Sequence, residues 1–131
     1  MILLDTCTLI FDALAPDQLS KKALQVIEEG EESGALACSD ISLWEIAMLI
    51  GKKRLDPGTD VLSFLRLILS ARMIRLLAIT PEIAQVSADD ALFGHNDPAD
   101  RIIAATALHY KGPLVTCDAA LHTVQGLTTI W

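Results

Sequence analysis

The sequence lacks a hydrophobic run long enough to cross a membrane. The 131 residues are 52% hydrophobic and the mean hydropathy is +0.44, so a membrane-spanning helix has to be considered. The longest apolar stretches are interrupted by Glu45, Arg66 or Arg72 well before the roughly 18 residues that such a helix needs. A secretory signal peptide is not indicated either, because Asp5 falls where its apolar segment should begin and no basic residue precedes it. We therefore expect a cytoplasmic protein.

Cysteine pairs are missing as well. The chain has three cysteines, Cys7, Cys38 and Cys117, and none of them belongs to a CxxC motif. An odd number without that spacing argues against a disulfide framework and against a zinc site. We expect reduced, mostly buried thiols, since a free cysteine behaves as a small apolar side chain.

Positive charge is scarce. The chain has 10 Lys and Arg residues against 17 Asp and Glu residues, which gives a net charge of −7. Because phosphate contacts need Lys and Arg, this balance argues against a general nucleic-acid-binding protein. It does not exclude a metal-dependent nuclease, whose active-site acids contribute negative charge until cations bind them. Repeats, low-complexity segments and linkers are also missing, so we expect one domain over residues 1–131.

Short apolar runs alternate along the chain with amphipathic segments. The predicted strands cover residues 2–4, 35–38, 74–79, 114–116 and 127–131. The predicted helices cover residues 6–14, 21–32, 41–50, 61–69, 81–94 and 98–110. Strands that alternate with helices imply an α/β fold of three layers, α/β/α, around a central parallel sheet.

Four acids fall where this arrangement would gather side chains. Asp5 and Asp118 directly follow predicted strands, while Asp97 and Asp100 open a helix that could begin at the same edge of the sheet. In open α/β sheets the crevice outside the carboxyl ends of the strands is where ligands bind. Asp5 also has a purely structural interpretation, because it can cap the helix that begins at Thr6.

Glu45 has an unusual neighbourhood. Every residue from 41 to 50 except Ser42 and Glu45 is apolar, so we expect a largely buried helix in which an ionised Glu is costly. A solvated helix edge or the positive helix N-terminus could compensate this charge. A metal ion or an active-site crevice is the other interpretation, and the residues alone leave both open.

Four sequence motifs, taken together, carry a family resemblance. They are ILLDT at 2–6, SLWEIA at 42–47, DPADRIIAATA at 97–107 and LVTCD at 114–118. In this order and spacing the chain resembles a PIN domain over nearly its full length, and in particular the VapC-type toxins of bacterial toxin–antitoxin pairs. It departs from the usual pattern at Cys7, where relatives often carry His, and at Ala99, where an aromatic residue is common.

The resemblance implies a PIN-like fold, a set of catalytic acids and an activity. The family's metal-binding and catalytic acids fall on Asp5, Glu45, Asp100 and Asp118, with Thr6, Asp97 and Thr116 as possible supporting residues. The implied activity is that of an endoribonuclease dependent on Mg²⁺ or Mn²⁺. Such a metal suits the residues, because clustered carboxylates repel one another and hard divalent cations that prefer oxygen ligands relieve the repulsion.

The resemblance also implies partners: an RNA substrate, a cognate antitoxin and a second copy of the chain in a homodimer. Apolar residues beyond core needs, such as Phe11, Leu14, Phe64 and Leu65, would supply a dimer face or an antitoxin groove. Two alternatives stay open, an RNA-processing PIN nuclease with no toxic role and a PIN-like module that binds RNA or protein without cutting. Metal-dependent cleavage would exclude the second.

Asp97 and Asp100 can be assigned different roles. Asp97 precedes Pro98, the first residue of its helix, so its side chain should accept the backbone N–H of Asp100 as an N-cap. Asp100 has no capping duty, and the resemblance makes it a metal ligand. Of the three histidines, His95 is expected to come nearest the acids.

Overall fold

A five-stranded, fully parallel sheet forms the centre of the computed structural model, which describes residues 1–94 and 97–131. The strands are β1 (Ile2–Leu4), β2 (Leu36–Ser39), β3 (Arg75–Leu77), β4 (Leu114–Val115) and β5 (Thr129–Ile130). They lie in the order β3-β2-β1-β4-β5, with Leu3 of β1 opposite Ala37 on one side and Leu114 on the other. All five predicted strands are confirmed, and the last three are shorter than predicted.

Seven α-helices lie in the described part of the chain. They are α1 (Thr6–Leu14), α2 (Lys21–Ser33), α3 (Asp40–Gly51), α4 (Val61–Ala71), α5 (Pro81–Ser87), α6 (Asp90–Phe93) and α7 (Pro98–Tyr110). Two 3₁₀ helices, Pro16–Gln18 and Leu121–Thr123, were not expected. Within the described residues, no helix is both long and apolar enough to span a bilayer.

The core has two parts, one on each face of the sheet. Neighbouring strand residues point to opposite faces, so Leu3 packs with Ile103 of α7 on one side, while Leu4 packs with Leu9 and Ile27 on the other. All five side chains are at most 2% exposed. Helices on both faces explain why these strands are apolar throughout, and they confirm the predicted α/β/α layers.

Side chains fix where several helices begin. Ser20, Asp60 and Thr80 each accept a hydrogen bond from the backbone N–H three residues later, at 3.0, 2.8 and 3.2 Å. Pro81 occupies the first turn of α5, where its missing N–H costs nothing. Gly34 ends α2 in the left-handed conformation, with a φ of +69°. These boundaries agree with the sequence prediction.

The predicted continuous helix over residues 81–94 is wrong. Helix α5 ends at Ser87, and Asp89 starts α6 by accepting hydrogen bonds from the backbone N–H groups of Ala91 and Leu92. An Asp side chain that bonds the backbone locally competes with helix continuation, which accounts for the break. The predicted approach of His95 to the acids lies outside the described residues, as does Asn96.

Two expectations about apolar residues are also wrong. Helix α3 is not largely buried, because only Ser42 and Ile46 are fully buried and Trp44 and Met48 are 56% and 38% exposed. Phe64 cannot belong to a dimer face, because it is 2% exposed and packs in the core. Apolar composition alone does not show which face of a helix meets the sheet.

Candidate active site

The sheet topology brings the ends of β1, β2 and β4 together. Asp5 follows the central strand β1, and its backbone N–H donates to the Val115 carbonyl at the end of β4. Strand β2 leads directly into α3, which carries Glu45 in its second turn. Asp118 lies just past β4. An open cavity of about 250 Å³ at this edge is lined by Asp5, Thr6, Cys7, Ile10, Glu45, Leu49, Asp100, Cys117 and Asp118.

Asp5 is a buried carboxylate with several hydrogen-bond donors. Only 4% of the residue is exposed. Its Oδ1 accepts the Thr6 backbone N–H at 2.8 Å, and its Oδ2 accepts the Thr116 hydroxyl at 2.6 Å and the Cys7 thiol at 3.5 Å. Burial raises the pKa of Asp5, and these hydrogen bonds oppose the rise. Asp5 therefore caps α1 and also lies in the cavity, so its two interpretations are compatible.

Glu45 reaches the same place from α3 and is held there by a threonine. The Thr6 hydroxyl donates to Glu45 Oε1 at 2.5 Å, and Ser42 Oγ lies 2.9 Å from the same hydroxyl oxygen. Burial raises the pKa of Glu45, the Thr6 hydrogen bond lowers it, and the charges of Asp5 and Asp97 raise it further. The half-buried Glu45 thus has a hydrogen-bond partner but no cation from the described residues among its contacts.

Three acids stand particularly close together. One ligand oxygen each of Glu45, Asp97 and Asp100 can be chosen so that all three lie within 4.8 Å of one another. The pKa of Asp100 rises to about 8, first because the carboxyl is partly buried and then because of the charges of Asp97, Asp5, Asp118 and Glu45. Near neutral pH the carboxyl of Asp100 therefore ionises less readily than that of an ordinary Asp.

Asp97 caps α7 as predicted, and its side chain also lies close to two other acids. Its Oδ1 accepts the Asp100 backbone N–H at 2.8 Å, which confirms the N-cap of α7. Its side chain is nevertheless part of the close group with Glu45 and Asp100. A capping carboxylate keeps a second oxygen, so structural and metal-binding roles can coexist at Asp97.

Asp118 lines the cavity from the turn after β4. Its Oδ1 accepts the Ala120 backbone N–H at 3.0 Å, while its own backbone N–H donates to Thr116 Oγ1 at 3.0 Å. Thr116 therefore connects Asp5 with the turn that carries Asp118. The His122 ring supports this turn, with Nε2 2.8 Å from the Thr116 carbonyl oxygen and Nδ1 2.9 Å from Thr129 Oγ1.

Sequence reasoning missed two features of the site. Ser42 contacts Thr6, and its position one turn before Glu45 on the same helix could have indicated this. The Cys7 and Cys117 sulfurs lie 3.3 Å apart, a long-range contact for which the sequence holds no local signal. Cys7 is half-buried, Cys117 is exposed and only Cys38 is buried, so the expectation of mostly buried thiols is wrong. Burial and the Asp5 charge raise the pKa of Cys7.

The donor set fits a hard divalent cation. Asp5, Glu45, Asp100 and Asp118, which line the cavity, and Asp97 beside it offer carboxylate oxygens, the ligands that Mg²⁺ and Mn²⁺ prefer. Ion pairs between described residues join Arg72 with Asp12 and Glu31, and Arg101 with Asp90, and none reaches these five acids. A bound cation would relieve the repulsion that raises the pKa of Asp100.

A larger cavity, of about 440 Å³, lies beside the Arg72 ion pairs. Arg72 Nε and Nη2 donate to the two oxygens of Asp12 at 2.7 and 2.9 Å, and Nη1 donates to Glu31 at 2.8 Å. Both acids here are paired with the guanidinium, and the remaining lining includes apolar side chains such as Leu14 and Leu67. Greater volume therefore does not make this cavity the better candidate for metal chemistry.

Comparison with known proteins gives consistent results. The family model described as "PIN domain" matches residues 2–127. The chain is 35% identical to "Ribonuclease VapC22" of Mycobacterium tuberculosis in an alignment covering 99% of this chain and 98% of the relative. Similar solved structures include VapBC2 from Rickettsia felis bound to a promoter DNA fragment. Its TM-score is 0.73 at 18% sequence identity, and the match covers 99% of this chain and 98% of that one. FitAcB from Neisseria gonorrhoeae has a TM-score of 0.70 at 21% sequence identity, and the match covers 100% of this chain and 97% of that one.

Proposed function

We propose that this chain, which belongs to the PIN-domain family, is an endoribonuclease that hydrolyses RNA with Mg²⁺ or Mn²⁺ and is the toxin of a toxin–antitoxin pair. One observation carries the proposal: five acids meet at the carboxyl edge of the sheet without an ion pair from the described cations. The 35% identity to a ribonuclease over 99% of the chain indicates the substrate class.

The residues that would hold the metal are Asp5, Glu45, Asp100 and Asp118, with Asp97 as a supporting residue. When bound, a divalent cation supplies Lewis acidity toward the scissile phosphate and promotes deprotonation of an attacking water. The chain's contribution is to hold the acids in place. Thr6 fixes Glu45, and Thr116 fixes Asp5, through hydrogen bonds of 2.5 and 2.6 Å. We expect water rather than the ribose 2′-hydroxyl to attack, which leaves 5′-phosphate and 3′-hydroxyl ends.

The proposed protein partner is an antitoxin that inhibits the nuclease. A Lys or Arg side chain from such a protein could compensate the acids in place of the metal. The VapBC and FitAcB similarities concern other proteins at 18 to 21% identity, and the inference that this chain has such a partner is ours. We further propose that the nuclease acts as a homodimer on cytoplasmic RNA. Co-purification with the product of an adjacent small gene, together with inhibition of cleavage, would test the partner.

The test of the nuclease uses the purified chain and a structured RNA. We expect cleavage with Mg²⁺ or Mn²⁺, none in excess EDTA, and 5′-phosphate ends that ligate without prior phosphorylation. Asp5→Asn should remove cleavage while keeping the fold, because Asn still caps a helix but carries no charge. Asp17→Asn, at an exposed acid outside the site, is the matched control and should cleave normally.

Two results would contradict the nuclease assignment, and a third would contradict the toxin assignment. Full activity in excess EDTA would exclude metal dependence. RNA binding without cleavage under any divalent cation would favour the non-catalytic alternative. Cleavage without inhibition by the neighbouring small protein would leave the nuclease standing and favour an RNA-processing enzyme with no toxic role.

A further inference from the structure

We propose that Cys7 and Cys117 are a redox-modification site, in which a low-molecular-weight disulfide oxidises the two thiols to one intramolecular disulfide bond and thereby weakens metal binding in the acidic cavity. The formation of the bond is independent of the proposed function. Its effect on the metal rests on that function, because it requires the acids of the cavity to be metal ligands.

The fold brings two thiols that are far apart in the sequence close enough to form a disulfide bond. Leu4 of β1 is in register with Val115 of β4, and the backbone N–H of Asp5, just past β1, donates to the Val115 carbonyl. Cys7 then lies in the first turn of α1, and Cys117 lies in the turn after β4. Their sulfurs are 3.3 Å apart. A disulfide bond is about 2.05 Å long, so the sulfurs need to approach by only about 1.3 Å.

The two thiols differ in accessibility in a way that orders the reaction. Cys117 is exposed and Cys7 is half-buried, while the third cysteine, Cys38, is buried in β2. The Cys117 thiolate attacks one sulfur of the small disulfide, forms a mixed disulfide and expels one small thiolate. Cys7 Sγ then attacks Cys117 Sγ and expels the second small thiolate. The two protons lost by the cysteines end on the two released thiols, so two electrons pass from the protein to the small disulfide.

The new bond would change the surroundings of two proposed metal ligands. The Cys7 thiol now donates to Asp5 Oδ2 at 3.5 Å, and a disulfide sulfur has no proton to donate. Cys117 lies between Thr116, which donates to the same oxygen at 2.6 Å, and Asp118. Drawing the two sulfurs together therefore pulls on the residues that orient Asp5 and carry Asp118.

Metal binding is sensitive to such shifts. Mg²⁺ demands near-ideal octahedral geometry, and loss of an outer-shell partner of a metal ligand costs roughly 10- to 100-fold in metal affinity. We expect oxidation to weaken Mn²⁺ binding by about 10-fold or more, and reduction with dithiothreitol to restore it.

The experiment uses the full chain, prepared without metal and treated with oxidised glutathione. Free thiols should fall from three to one, the protein should lose the mass of two hydrogens, and non-reducing peptide mapping should join Cys7 to Cys117. Mn²⁺ affinity is then measured by calorimetry on the reduced and oxidised forms. Cys117→Ser should resist oxidation, so treatment with oxidised glutathione should leave its Mn²⁺ affinity at the value measured before treatment. Cys38→Ala is the matched control, because it leaves the reactive pair intact.

Each outcome decides part of the proposal. Three free thiols after oxidation, a persistent glutathione adduct on Cys117, or a disulfide between two copies of the chain would overturn the modification site. An intramolecular disulfide with unchanged Mn²⁺ affinity would overturn the effect on the cavity. Failure of the reduced protein to bind Mn²⁺ would refute the metal site of the proposed function and the predicted effect on it, while a demonstrated Cys7–Cys117 bond would stand independently.

Discussion

Two acidic clusters in this molecule differ in what balances their charge. Asp12 and Glu31 share the Arg72 guanidinium, with hydrogen bonds of 2.7 to 2.9 Å. The cavity acids, defined here as Asp5, Glu45, Asp97, Asp100 and Asp118, have no ion pair with a cation among the described residues. Burial and mutual repulsion instead raise the pKa of Asp100 to about 8.

The comparison separates acids that an arginine of the chain balances from acids that no cation among the described residues balances. Removing one partner of a partly buried acid–arginine pair leaves the other charge uncompensated and destabilises the folded chain, whereas a cluster of like charges without a protein cation opposes folding. Stability alone therefore gives no reason to assemble the cavity acids, whereas the proposed divalent cation would. Neutralising Asp12 and neutralising Asp100 should therefore have opposite effects on stability.

The largest expected effect comes from Asp100→Asn. We expect cleavage to fall by at least about 100-fold, more than the usual loss for an outer-shell partner of a metal ligand. Metal-free stability should hold or rise, because one of several repelling charges is removed. Cleavage rates alongside thermal melts in EDTA measure both effects. An active Asp100→Asn protein would show that Asp100 lies outside the catalytic set.

The paired cluster should respond in the opposite sense. Arg72→Ala should lower the free energy of unfolding by roughly 1–2 kcal/mol, because it leaves a partly buried Asp12 carboxylate without its charged donor. Asp12→Asn should also destabilise, in contrast to Asp100→Asn. Urea denaturation measures the change. Arg66→Ala, at an exposed position of α4 without an ion pair in the described structure, is the control and should change stability little.

A smaller effect is expected at Asp97. Asp97→Ala should lower the free energy of unfolding by about 1 kcal/mol, the usual loss for an N-cap, and leave substantial cleavage. Because the Asp97 carboxylate also lies close to Glu45 and Asp100, the Mn²⁺ requirement of Asp97→Ala should be measured beside that of Asp97→Asn, which keeps the cap but removes the charge. An inactive Asp97→Ala protein with unchanged melting would reverse the roles assigned to Asp97 and Asp100.

The pH dependence of stability tests the raised pKa of Asp100. The pKa of Asp100 is raised from 3.8 to about 8 in the folded, metal-free chain, so the folded state holds this proton more tightly than the unfolded state. Stability is therefore lost as the pH rises between about 4 and 8. We expect wild-type melting in EDTA to fall more than that of Asp100→Asn from pH 6 to pH 8. Parallel curves for the two proteins would contradict the raised pKa.

Sequence patterns predicted the parts of this structure that depend on neighbouring residues. Apolar runs such as residues 2–4 predicted the strands, and Ser20, Asp60 and Thr80 predicted helix starts, because each signal acts within a few residues. Asp118 and Asp5 could be placed together since parallel strands share one carboxyl edge.

Contacts between distant elements could not be predicted in the same way. The Thr6–Glu45 hydrogen bond depends on how α1 and α3 pack, and the Cys7–Cys117 contact depends on the ends of β1 and β4. The arginine that pairs with Asp12 lies 60 residues away in sequence. The prediction that α3 is largely buried failed for a related reason. Composition does not show which helix face meets the sheet, and Trp44 lies on an exposed face.

The most direct test of the central claim is a calorimetric Mn²⁺ titration of three metal-free proteins: wild type, Asp12→Asn and Asp100→Asn. We expect Mn²⁺ to bind saturably, and with similar affinity, to wild type and to Asp12→Asn, because Arg72 and not a metal balances the charge of Asp12. Binding to Asp100→Asn should be weakened by at least about 100-fold. No saturable binding to wild type, or equal affinity in all three proteins, would contradict the claim that the cavity acids form a divalent cation site.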